Sequence, residues 1–400
     1  MLFFNMSADE KRTFLELQKH GPMTKKELSE SLDIKPSTLG RILERLMANG
    51  AVLEGEYQTT AMGRKPYSYD VNTAGKYVLG IDISRVKISA VVCDIKMRVI
   101  DSVISVEDII KYGSSAELID KMCRDIQAML DRNSISTSEL IGAGISMVGP
   151  VDRHTGCTQR VVGFPTHDWS NMPLGDMVRM RIGCPVYVDN GTYAAVLYEY
   201  LYGVGRPYKR VAFVNSSFGI RAGYINNNVI VRSANNDESA LAHTTIVPSG
   251  ERCFCGKRGC VNGYATTSAI FRNIRRLKEL GGNVGIDKPL NEIYFKDVID
   301  AANAGNPSCA HEIHMAGEMF GYALSNYITL LNPELVILSG SAIHMSQNYY
   351  DTVFNAAMLG QSLSHGSTTF QKGGSHGALT MAVGGAAMYF EKYVGNPMME

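Results

Sequence analysis

Residues 243–260 read HTTIVPSGERCFCGKRGC, and the reading of the whole chain starts here. Cys253, Cys255 and Cys260 stand close together around Gly256 and Gly259, and His243 lies upstream of them. Three thiolates and one imidazole are the ligand set of a closed tetrahedral zinc site. A closed site leaves no position for water or substrate, so a Zn2+ held here is structural. The two glycines let the backbone turn tightly enough for Cys255 and Cys260 to reach one ion. The alternative is three unrelated buried thiols. The C-x-C-x4-C knot, which gathers three of the chain's 8 cysteines, argues against it.

The chain has 400 residues, enough for two or three domains and a sizeable core. Hydrophobic content of 45% and charge of 20% are those of a soluble globular protein. Lys+Arg and Asp+Glu both number 39, so bulk charge neither demands nor excludes a nucleic-acid partner. The start, MLFFNM, runs at once into the acidic SADEKRTF, which is not a signal peptide. No apolar run is long enough to cross a bilayer, so no membrane partner is expected. The cysteines outside the knot (Cys93, Cys123, Cys157, Cys184, Cys309) are scattered singly, as expected of a cytoplasmic protein.

Three helical patterns precede residue 50. Phe14, Leu15 and Leu17 mark the first, between Ser7 and His20, and Gly21-Pro22 breaks it. Thr24 caps the second, with Glu27 completing a capping box. Pro36 opens the third, where its missing N–H costs nothing, and Leu39, Ile42, Leu43 and Leu46 form its inward stripe. This predicts a helix-turn-helix whose last helix carries Lys35, Ser37, Thr38, Arg41 and Arg45 towards DNA. The following AVLEGEYQTTAMGRKPYSYDV gives two β-prone runs around a glycine-containing tip. It reads as a wing that places Arg64 and Lys65 against phosphates or a minor groove. Charge balance does not separate this from a small three-helix protein-interaction domain.

From Tyr77 the pattern changes. VLGIDIS, KISAVVCDI and VIDSVISV read as an antiparallel meander followed by a helix from about Ala116 to Leu130, then the buried strands LIGAGISMVG and CPVYVDNG and the helix TYAAVLYEYLYG. RVAFVNSSFGI and AGYINNNVIV open a second copy of the plan, which ends in ALSNYITLLNPELVILSGS and the closing helix GALTMAVGGAAMYFEKYV. Periodicity alone supports only an α/β body.

The pattern His-x9-Cys-x-Cys-Gly-x2-Gly-Cys resembles the zinc element of the ROK family (repressors, open reading frames and sugar kinases). The order of helix-turn-helix, wing, Gly63 to Pro66 as Gly-Arg-x-Pro, and then Gly80-Ile81-Asp82 resembles that family's transcription repressors. The resemblance covers nearly the whole chain. It implies an α/β fold class: a winged helix-turn-helix over residues 1–72, then a duplicated actin-like, ribonuclease-H-like sugar-kinase body over 73–400.

The same resemblance implies that kinase chemistry is gone. The family's first phosphate loop, Asp-x-Gly-Gly-Thr, is Asp82-Ile83-Ser84-Arg85-Val86 here, and its second, Gly-Thr-Gly-Ile-Gly, is Ser217-Phe218-Gly219-Ile220-Arg221. The late glycine run is reduced to Ser339-Gly340-Ser341. Phosphate cradles need close backbone approach, which Arg85, Phe218 and Arg221 obstruct. The family's catalytic Glu-Asn-Asp is Asp189-Asn190-Gly191, so the residue that should accept the sugar proton has no side chain. Among the sugar-holding positions, Gly-Glu-Ile-Gly-His is Ser239-Ala240-Leu241-Ala242-His243, and the glutamate after the last zinc cysteine is Asn262. An asparagine expected before Trp169 is not recognisable in GFPTHDW.

The expectation is therefore a ROK-type DNA-binding regulator of carbohydrate-related genes, with no catalytic residues. Its partners would be double-stranded DNA with an inverted-repeat operator and a sugar-like effector near Asn190, His243 and Asn262. It would form a homodimer or homotetramer. The alternatives are a hexose kinase with an extra N-terminal domain, and a protein-binding adaptor.

Overall fold

The apolar stripes of the first seventy residues close on one another. The computed structural model describes residues 6–399 apart from 56–58, 61, 62, 65, 66, 86, 107, 108, 110, 111, 162, 165, 234, 235 and 361–366. Ser7 and Glu10 form a capping box that starts α1 (Ala8–His20), and Thr24 and Glu27 form another that starts α2 (Lys25–Leu32) after the short strand β1 (Met23–Thr24). Pro36 is the first residue of α3 (Pro36–Ala48). Phe14, Leu17, Leu28, Leu39, Leu43 and Leu46 meet in one buried core. Strand β2 (Val52–Glu54) leads out to the two-residue strands β3 (Thr59–Thr60) and β4 (Gly63–Arg64), and the chain returns as β5 (Ser68–Val71). Antiparallel β2 and β5 pair with Val52 opposite Val71, and β1 flanks β5 on its other side. This is a winged helix-turn-helix.

The body repeats one plan. Strands β6 (Tyr77–Ile83), β7 (Ile88–Asp94) and β8 (Val99–Val106) form an antiparallel meander. Helix α4 (Ser115–Arg132) returns the chain to β9 (Leu140–Met147), which lies parallel to β6. The short strands β10 (Val151–Asp152) and β11 (Cys157–Thr158) and helix α5 (Leu174–Ile182) lead to β12 (Val186–Asn190), which completes the sheet order β12-β9-β6-β7-β8. Helix α6 (Gly191–Leu201) crosses to the second lobe.

There β13 (Arg210–Ser216), β14 (Ile220–Asn226) and β15 (Val229–Val231) form the second meander. After the metal knot come α7 (Thr267–Glu279), α8 (Phe295–Asn303) and α9 (Pro307–Leu331). Strand β16 (Leu335–Ser339), helices α10 (Ser341–Met345) and α11 (Gln347–Leu359), and β17 (Thr369–Lys372) finish the order β15-β14-β13-β16-β17. In both lobes an antiparallel triplet is extended by two parallel strands. That is the duplicated fold expected from sequence.

Helix α12 (Thr380–Tyr393) packs on the first sheet, α6 packs on the second, and the two helices pack on each other. Glycine makes this closeness feasible: a Cβ at Gly80 would lie 2.0 Å from the Ala382 carbonyl oxygen. Among the described residues no helix is long and apolar enough to cross a membrane.

The winged unit is fastened to the body by buried polar contacts. Gln18 Nε2 donates to the Ile95 carbonyl at 2.7 Å and lies 3.4 Å from the Tyr202 hydroxyl. Tyr202 in turn donates to Glu391, which is fully buried and faces Lys19 Nζ at 3.6 Å. Lys96 Nζ donates to the Gly21 carbonyl and to both Asp70 oxygens at 2.8 Å.

Candidate effector cavity, metal knot and reading helix

The knot brings its four residues together. One ligand atom each from His243, Cys253, Cys255 and Cys260 lies within 4.8 Å of all the others. Cys253 Sγ is 3.6 Å from His243 Nδ1, and the Cys255 and Cys260 sulfurs are 3.6 Å apart. Tetrahedral Zn–S bonds of ~2.3 Å put sulfurs about 3.8 Å apart, close to the two spacings of 3.6 Å here. Gly256 (φ +93°) and Gly259 (φ +69°) adopt left-handed backbone here, and a Cβ at Gly259 would collide with the Val247 carbonyl. Burial, then the neighbouring thiols of Cys255 and Cys253, push the Cys260 thiol up to about 12. A dication among them would reverse that, because thiolates are the ligand form.

Helix α3 divides as its sequence predicts. Leu39, Ile42, Leu43 and Leu46 are buried, while Lys35, Ser37, Thr38 and Arg41 are exposed. Arg45 is also exposed, but its Nη1 lies 3.5 Å from Glu10 Oε1, so it tethers α3 to α1. Arg64 is the second residue of β4, and Lys65 lies outside the described residues.

Between the lobes and beside the knot is a cavity of about 330 Å³ whose walls include Arg85, Arg221, Glu238, Ser239, His243 and Asn262. A neighbouring cavity of about 780 Å³ shares Arg85, Phe254 and Asn262 with it. Its remaining wall includes Arg272, Arg275 and Arg276 of α7. Arg221, on β14, is 8% exposed and lies 3.4 Å from Glu238 Oε1. Glu238 Oε2 accepts from the Thr192 amide at 2.8 Å and its hydroxyl at 2.7 Å. Burial raises Glu238 above the usual carboxylate range, against the pull of Arg221 and Thr192. Asp82, also buried, is raised to about 6 for the same reason.

The loops that would cradle nucleotide phosphates are closed on themselves. Ser217 Oγ accepts the Ser341 amide at 3.0 Å, and the two hydroxyls are 2.8 Å apart. Ser268 Oγ donates to the Phe218 carbonyl at 2.8 Å, and the Thr267 amide donates to the Ser217 carbonyl at 3.0 Å. Arg85 and Phe218 stand at these loops, with the guanidinium carbon 5.5 Å from the ring centroid, and both line the larger cavity.

Asp189 does not reach the cavity as a substitute base. Its carboxylate takes both Arg232 nitrogens, at 3.0 and 2.6 Å, and Asn236 Nδ2 at 3.2 Å, and it is fully buried. Asn190 is fully buried too: Nδ2 donates to the Gly149 carbonyl at 2.6 Å, and Oδ1 accepts from Asn236 at 3.0 Å. Of the three expected effector contacts, the structure thus places His243 and Asn262 on the cavity wall and Asn190 behind it. Sequence reading named Arg85 and Arg221 only as obstructions. Nothing in their spacing, one on a turn of the first lobe and one on a strand of the second, signals that they face one cavity.

Fold and site together define a class: a two-lobed body of sugar-kinase type, fronted by a winged helix-turn-helix. Residues 78–388 match the model of the ROK family, and the chain belongs to that family. Residues 1–70 match the model described as sugar-specific transcriptional regulator TrmB. The xylose repressor of Bacillus spizizenii is 25% identical over 340 residues, which is 85% of this chain and 84% of that protein. A solved ROK family transcriptional regulator, a homologue of the E. coli MLC protein, shares the fold with a TM-score of 0.77 at 19% identity, over 98% of this chain and 97% of the other. The ROK family glucokinase from Streptomyces griseus, in complex with glucose and AMPPNP, gives a TM-score of 0.64 at 24% identity, over 78% of this chain and 98% of its own.

Proposed function

We propose that this chain is a DNA-binding transcription regulator of ROK type, acting as a repressor of carbohydrate-related genes. Residues 1–72 would bind an inverted-repeat operator, and residues 73–400 would dimerise or tetramerise and sense an effector in the cytoplasm. The body is not an enzyme on this reading, because Gly191 supplies no carboxylate and Asp189 is committed to Arg232. Zn2+ held by His243, Cys253, Cys255 and Cys260 would keep the knot folded, and no chemical step passes through it.

The observation that carries the reading is the outer face of α3. Lys35, Ser37, Thr38 and Arg41 are exposed at the start of a helix whose opposite face is buried in the winged unit's core. A guanidinium at Arg41 can fork onto a guanine edge, whereas Arg64 and Lys65 would contact phosphate or minor groove. Selection of bound duplexes from a random pool tests this, and an inverted repeat should emerge. Arg41→Ala should then weaken the preferred site by about 1–3 kcal/mol and flatten preference at one base pair per half-site. Lys65→Ala should weaken all duplexes alike and reduce the salt slope by about one. Absence of any duplex binding, with zinc bound, would favour a protein-binding adaptor.

A further inference from the structure

We propose that the cavity of about 330 Å³ takes a sugar carrying an anionic group, phosphate or carboxylate, and that the anion lies between Arg85 and Arg221. This rests on the effector-sensing reading above and names the chemical class of the effector.

Arg85 is the first ground. It is largely shielded from solvent, its Nε is buried without a hydrogen-bond partner, and among the described residues no carboxylate lies within ion-pair reach of it. Burial, and then the nearby Arg221, lower it to about 9. It stays cationic near neutral pH, beside the Phe218 ring and partly offset by Glu238, but among the described residues it has no ion pair.

Convergence is the second. A Cβ built on Gly219 would lie 3.5 Å from Arg85 Nη1, 3.5 Å from Asn262 Oδ1 and 3.8 Å from Arg221 Nη2. Glycine leaves that volume empty, so two guanidinium groups from different lobes and one amide point at a common space.

The charge balance is the third. Glu238 is the carboxylate beside Arg221, and its other oxygen is already held by Thr192. Asp237 Oδ1 is held by the Ser239 amide at 2.8 Å and its hydroxyl at 2.6 Å. Two carboxylates, Asp237 and Glu238, therefore share the lining with three guanidinium groups, those of Arg85, Arg221 and exposed Arg160, which leaves one cation in excess. A neutral sugar would leave Arg85 uncompensated, whereas a phosphate or carboxylate accepts forked hydrogen bonds from both arginines. The Asn262 amide remains on the same wall for hydroxyl groups, and the volume falls in the small-ligand range.

The test is calorimetric titration of the zinc-replete full chain with D-glucose 6-phosphate, D-glucuronate, D-glucose, D-xylose and inorganic phosphate. At least one charged sugar should bind 10-fold or more tighter than both neutral sugars; which one wins separates phosphate from carboxylate. Arg85→Gln should weaken that ligand by roughly 10–100-fold, as loss of a charge-assisted hydrogen bond predicts. Arg221→Lys, which keeps a cation beside Glu238, should weaken it less. Zinc content and unfolding midpoint serve as folding controls. Equal or tighter binding of a neutral sugar, indifference to Arg85→Gln, or no binding by any probe overturns the proposal. Inorganic phosphate binding as tightly as glucose 6-phosphate overturns its sugar part. Selective DNA binding that persists when no probe binds leaves the regulator reading standing; charged-sugar binding without DNA binding does the opposite.

Discussion

The β6–β7 turn of the first lobe and the β13–β14 turn of the second occupy equivalent places in matching five-stranded sheets, yet their polar groups are used differently. In the second lobe, Ser217 and Phe218 are stitched to Ser341, Thr267 and Ser268 by hydrogen bonds, and Arg221 beyond them has Glu238. In the first lobe, Ser84 Oγ bonds the Lys87 carbonyl at 2.9 Å and Lys87 Nζ reaches the Ala378 carbonyl at 2.8 Å, but Arg85 is left over. A turn that satisfies its own groups has become scaffold. A turn that leaves one cation facing a cavity remains able to receive something.

The comparison can be broken most severely at the knot, which belongs only to the second lobe. Cys255→Ser should take zinc from one equivalent per chain to none and destabilise that lobe by on the order of 5 kcal/mol, because metal binding is folding free energy. Elemental analysis with a two-probe unfolding curve checks it; zinc retained in the variant would remove the knot from the account.

Next in size is the bond that joins the lobes. Arg232→Met leaves Asp189 buried without its cation, at a cost of about 3–5 kcal/mol. Asp189→Asn added to that variant should recover most of the loss in a double-mutant cycle.

A third prediction concerns the first lobe's own carboxyl. Asp82 is raised from 3.8 to about 6 by burial, so the folded protein holds this proton to higher pH than the unfolded chain does. Its contribution favours folding at low pH and is lost as pH rises from about 4 to about 6, then stays constant. Asp82→Asn should therefore stabilise the protein by up to about 3 kcal/mol near pH 7 and by well under about 1 kcal/mol near pH 4. Denaturant curves at both pH values decide it, and equal midpoint shifts would mean that Asp82 titrates normally.

The smallest expected effect is none. Gly191→Asp restores the family's carboxylate at a place where a Cβ would meet only Met381 Sδ at 3.3 Å and Ser146 Cβ at 4.0 Å. Sugar-dependent ATP hydrolysis should still be undetectable, because Arg85 and Phe218 stand where phosphate loops need close backbone approach and Ser217 is bonded to Ser341. Turnover in this single variant would show that the phosphates of a nucleotide still fit at both turns.

The sequence was most legible where partners are close along the chain. The knot spans residues 243–260, the Thr24–Glu27 box spans one turn, and the α3 stripe repeats within one helix; all could be read directly. The two meanders were legible as strands because buried strands read as apolar runs. Their equivalence came from the family resemblance, not from periodicity. What stayed hidden depends on distant partners. Arg232 and Asp189 are separated by forty-three positions, and Arg85 meets Arg221 from the other lobe. The pairing of Arg45 with Glu10 was hidden in the same way, because nothing in one helix announces a partner on another. Asn190 looked available because its carbonyl partner, Gly149, lies on a different loop.

Helix α6 starts at the cavity, where Thr192 holds Glu238, and ends at Tyr202, which touches Gln18 and Glu391 beneath the winged unit. Its 11 residues make a strut roughly 16 Å long. On the proposed function, a strut anchored at both ends ties two equilibria into one thermodynamic cycle. Whatever factor a bound sugar removes from operator affinity, operator DNA must remove from sugar affinity. Molecules seated on DNA would then be poorer sugar sensors than free ones, so the effector concentration that empties an operator would exceed the dissociation constant measured on the protein alone.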